Sequence, residues 1–110
     1  MAYDEELAGR IREMVADEPG LTEKRMFGGL AFLVGGNMAI AASSQGGLLV
    51  RVDPEQSDEL VSKTDAYVAV MRGRPIAGWL RVDSDHVRTK PQLAKWVKLG
   101  VAYAGSLPVK

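Results

Sequence analysis

The sequence predicts an α+β domain: an antiparallel β-sheet with flanking helices, in the order α-β-β-β-α-β(β)-α. Three observations predict it. Apolar stripes at helical spacing lie at both ends of the chain, short apolar runs separated by Gly, Asn and Ser lie between them, and a proline-led helix start sits in the middle. With 110 residues, 46% of them hydrophobic, the chain is expected to form one domain spanning 1–110.

The first helix is read from Leu7, Ile11, Met14 and Val15, spaced i, i+4, i+7 and i+8. Asp4, Glu5 and Glu6 load its start with negative charge, which suits the positive end of the helix dipole, and Pro19-Gly20 stops it. Three apolar runs follow, Met26–Val34, Met38–Ala42 and Leu48–Val52, closed by Gly35-Gly36-Asn37 and by Ser43-Ser44-Gln45-Gly46-Gly47. They read as an antiparallel meander, with Gly28-Gly29 inside the first strand. Leu48, Val50 and Val52 alternate onto one face and Arg51 onto the other. Both faces of the first run are apolar, so the second face requires cover from a helix or another subunit. Met26, Phe27, Leu30, Phe32 and Leu33 are therefore the candidate interface.

Asp53-Pro54-Glu55-Gln56 predicts a helix start, because Asp53 can accept from free N–H groups and Pro54 has none to lose. That helix should run to about Ser62, with Leu60 and Val61 facing inward. Ile76–Val82 reads as a strand, and Tyr67–Met71 as a short partner to it. The last helix carries Leu93, Trp96, Val97, Gly100, Val101 and Ala104 on one stripe, with Thr89 or Ser84 as cap, Pro91 in its first turn and Gly105 at its end.

Composition excludes several chemistries. No cysteine means no disulfide, no Fe–S cluster, no thiolate zinc site and no Cys nucleophile, and the lone His86 excludes a multi-histidine metal site. The glycine pairs lack the lysine and hydroxyl of a phosphate loop, no serine stands in a nucleophile setting, and Asp53, Asp83 and Asp85 read as caps. No catalytic residue, metal or cofactor is expected. No apolar stretch is long enough for a membrane span, and the acidic start is unlike a secretory signal, so a cytoplasmic protein is expected.

The net charge of zero is unevenly spread, at −6 over residues 1–70 and +6 over 71–110. The basic set Arg72, Arg74, Arg81, Arg88 and Lys90 is the candidate contact for nucleic acid or another polyanion, since guanidinium forks match phosphate oxygens. The same residues can instead balance the acidic part of the chain, or of a second copy.

Several stretches resemble one family in the same order: Lys24-Arg25-Met26-Phe27-Gly28-Gly29, Gly35-Gly36-Asn37-Met38-Ala39, Leu48–Asp53, Gly73–Trp79 and Leu93–Val97. Across about residues 5–104 the chain resembles the TfoX (Sxy) N-terminal domain family. It departs where the family continues with glycine and tyrosine, since Ala31 and Leu33 stand here. The resemblance implies a secretion-chaperone-like α+β fold and a regulator of natural competence (DNA transformation) genes, working beside a cyclic-AMP receptor protein. It supplies no catalytic residues. The two-domain regulators add a C-terminal part resembling helix-hairpin-helix modules, which these residues are not expected to contain. Two functional classes follow: a regulatory adaptor domain acting through protein–protein contacts, with a homodimer and a transcription-regulatory protein as expected partners, or a polyanion-binding module in direct contact with DNA.

Overall fold

In the computed structural model, which describes residues 3–26 and 28–110, six strands form one antiparallel sheet in the order β1-β2-β3-β4-β6-β5. The strands are β1 (Leu21–Met26), β2 (Gly29–Val34), β3 (Asn37–Ala42), β4 (Leu48–Arg51), β5 (Tyr67–Met71) and β6 (Arg74–Val82). The helices are α1 (Glu5–Met14), α2 (Ser57–Lys63) and α3 (Lys90–Ser106). The α+β architecture expected from the sequence is the one observed.

The meander is one strand richer than the apolar runs suggest. Gly28-Gly29 does not lie within a single strand: the chain reverses there, Met26 pairs with Gly29, and Gly28 has a φ of +79°. Backbone with positive φ is open to glycine at no steric cost, so Gly28 supplies the turn. The extra strand, β1, is an edge strand whose middle residues Thr22–Arg25 are all exposed. A bidentate pair ties it to α1: Nε and Nη2 of Arg12 donate to the two carboxylate oxygens of Glu23 at 2.7 and 2.9 Å. The hydrogen bond from Arg12 holds the Glu23 carboxyl below the usual carboxylate range.

Helix starts follow the capping chemistry. Asp4 accepts from the backbone N–H groups of Glu6 and Leu7 at 3.0 and 3.1 Å. Asp53 accepts from Glu55 N–H at 2.9 Å, opening a 3-10 turn (Pro54–Gln56) that leads into α2. Gln56, the N-cap of α2, makes no side-chain cap bond. At α3 it is Thr89 that caps, in a reciprocal box with Gln92.

One sheet face carries the helices. Leu30 and Phe32 of β2, Ile40 of β3 and Val50 of β4 meet Leu7 and Ile11 of α1 and Leu93 and Trp96 of α3 in the main core, and Leu60 and Val61 of α2 pack against it. Helix α3 lies so close to β3 that a Cβ at Gly100 would collide with the carbonyl oxygen of Ala39. The other face has a smaller cluster of Ala31, Met38, Ala41, Leu49 and Ala69, with Met26, Leu33 and Trp79 packed against it. Among the described residues, every member of that second cluster comes from a strand.

Candidate functional site

The strand-only face holds a groove of about 510 Å3. Met26, Ala31, Met38, Ala41 and Leu49 give it an apolar floor, and its rim is polar. Ser43, Ser44 and Gln45 come from the β3–β4 turn, Arg72 from the β5–β6 turn and Arg81 from β6. Strands β1 and β5 are the opposite edges of the sheet. Because Met26 at the end of β1 and Arg72 just after β5 border one groove, the sheet coils toward this face.

The rim is held by short polar contacts. Arg81 Nη1 donates to Ser43 Oγ at 2.9 Å, and the Gln45 backbone N–H donates to the same oxygen at 3.1 Å. Arg81 is half-buried and sits opposite Leu49 in the β4–β6 ladder, which fixes its stem over the floor. Arg72 occupies the left-handed region at φ +53°, stabilised by its place in a two-residue turn with Gly73 at φ +78°. Among the described residues, neither Arg72 nor Arg81 has a carboxylate within ion-pair distance, and no acidic side chain lines the groove.

The basic candidates are thus divided. Arg72 and Arg81 share the groove; Arg74 is exposed at the start of β6 and does not line it. Arg88 pairs with Asp85 at 2.7 Å in the connection before α3, where its carbonyl also accepts from Arg10 Nη2 at 3.0 Å. Lys90 is the exposed first residue of α3. The interface candidates divide too. Leu30 and Phe32 lie beneath the helices, at 5% and 0% exposure, while Met26 and Leu33 are half-buried on the strand-only face. Phe27 lies outside the described residues.

Other polar features have structural partners. His86 Nδ1 lies 3.3 Å from Asp65, and the Tyr67 hydroxyl donates to Asp83 at 2.9 Å, a bond that raises the tyrosine pKa. The Arg51 guanidinium lies over the rings of Trp79 and Tyr103, at 5.2 and 5.6 Å from their centroids. Among the described residues no cluster of three or more metal-ligating side chains forms, and no helix is long and apolar enough to cross a membrane.

Sequence reasoning missed Ser43 and Gln45 as rim residues, because Ser and Gln beside a Gly pair signal only a turn. It also missed Met38, whose place on the floor depends on how the sheet coils.

No curated protein sequence matches the chain. The TfoX N-terminal domain matches residues 13–104, from the end of α1 through nearly all of α3. That match takes in all six strands and both sides of the groove, so the chain belongs to the TfoX N-terminal domain family.

Proposed function

We propose that this chain is a non-catalytic regulatory adaptor of the competence-regulator type, working in the cytoplasm through protein contacts and pairing as a homodimer. The supporting observation is the contrast between its two sheet edges. Edge β1 exposes Glu23, Lys24 and Arg25, charges that oppose strand pairing. Edge β5, Tyr67-Val68-Ala69-Val70-Met71, carries no charge, and it exposes Tyr67 by 45% and Val70 by 59%. An uncharged edge with outward apolar side chains is a pairing surface for another strand. The burial of Leu30 and Phe32 moves the proposed contact from the first hairpin to this edge.

Sedimentation equilibrium at micromolar concentrations tests the reading. A dimer is expected, and Val70→Lys, which puts a charge on the exposed edge, should shift it to monomer without loss of secondary structure. A monomeric wild-type chain overturns the homodimer. The second reading, polyanion binding, draws on Arg72, Arg74 and Arg81, which lack acidic partners among the described residues.

A further inference from the structure

The groove on the strand-only face combines two properties that the adaptor reading does not use. Its floor is apolar, and its rim carries two guanidinium groups that have no carboxylate within ion-pair distance among the described residues. We propose that it is a ligand site for an amphipathic carboxylate, with an unbranched alkyl tail on the floor and the carboxylate between Arg72 and Arg81.

The size fits, since small-molecule sites fall at roughly 300–1,000 Å3 and are mostly apolar with a few placed polar groups. The charge fits as well. Arg81 uses one terminal nitrogen on Ser43 at 2.9 Å, which anchors the fork while leaving further N–H donors for an anion. The Ser43 oxygen already accepts from Arg81 and Gln45, so it orients the arginine.

An alkyl tail suits this floor better than a peptide does. Strands β2, β3 and β4 are interior to the sheet, so their backbone groups are committed to neighbouring strands. A peptide laid across Ala31, Ala41 and Leu49 would bury amides without partners, at a cost an alkyl chain does not incur.

The test is a titration of protein labelled at the methionine methyl groups, followed by NMR, with decanoate as probe. Met26 and Met38 line the groove, whereas Met14 packs against the core on the opposite face. Decanoate is expected to shift the Met26 and Met38 signals and leave Met14 in place. Decan-1-ol, which keeps the tail and loses the charge, should bind about tenfold more weakly, as should butyrate, which keeps the charge and loses most of the tail. Arg72→Asn, an exchange that tolerates the positive φ, should reduce the preference for decanoate over decanol while leaving decanol binding unchanged. Arg81→Gln should do the same, which gives two independent variants of the rim. Equal affinity for decanoate and decanol, shifts at Met14 matching those in the groove, or no shift at Met26 and Met38 would each overturn the proposal.

Discussion

Phe32→Ala is expected to remove a large part of the protein's stability. Phe32 is fully buried at the centre of β2, at 0% exposure. Removing a buried phenylalanine ring costs about 3–5 kcal/mol through lost transfer energy and the cavity left behind. A domain of this size has only about 5–15 kcal/mol in total. Its neighbours leave little room to close the gap, since Leu30 and Ile40 in the same cluster are themselves locked in the ladder between β2 and β3. Urea unfolding followed by circular dichroism should show a large fall in midpoint. A fall equivalent to less than about 1 kcal/mol would mean that the ring is not where the core places it.

Gly100→Ala and Gly9→Ala should have opposite signs, although both replace glycine with the best helix former. Helix propensity alone favours alanine by about 0.8–1.0 kcal/mol at each. At Gly9 of α1 a Cβ meets nothing within 4 Å, so the exchange should stabilise by nearly that amount. At Gly100 the Cβ collides with the Ala39 carbonyl, a backbone atom in the middle of the sheet. Relief requires α3 to lift off β3, and overpacking of this kind typically costs about 1–3 kcal/mol. The net change at Gly100 should be destabilising. Paired thermal melts of the two variants measure it, and a stabilised Gly100→Ala protein would show that helix and sheet are less closely pressed.

The helices were legible because their signals are local. Asp4 before Glu5-Glu6, Pro54 after Asp53, and Thr89 three residues before Gln92 each mark a start by hydrogen bonds made within one turn. Strand β1 was not legible. Thr22, Glu23, Lys24 and Arg25 are all exposed, so the strand has no alternation to read, and it exists because its backbone pairs with β2. In β2 the alternation is hidden for the opposite reason. Leu30 and Phe32 face the helices while Ala31 and Leu33 face the other side, and all four are apolar. Sequence therefore marks the segment as needing two covered faces without saying which side chains go under which cover. The groove was half legible. Arg72 and Arg81 stand out as basic residues near one another in sequence, but their meeting with Met26 and Ser43 depends on coiling across the whole sheet.

If this domain works through protein contacts, as proposed, it should not read DNA sequence. A fluorescence anisotropy titration against promoter and scrambled duplexes, at two salt concentrations, tests it most directly. Of the five basic candidates, Arg88 is paired with Asp85, and the acidic starts of α1 and α2, in a chain with zero net charge, repel the same phosphates. Binding should therefore be no tighter than the non-specific range of about 10⁻⁴–10⁻⁶ M and equal for the two duplexes. Replacing both Arg72 and Arg74 with alanine should change it only slightly. Submicromolar binding that prefers the promoter duplex, and that the double alanine replacement abolishes, would contradict the account and assign the basic residues to nucleic-acid recognition.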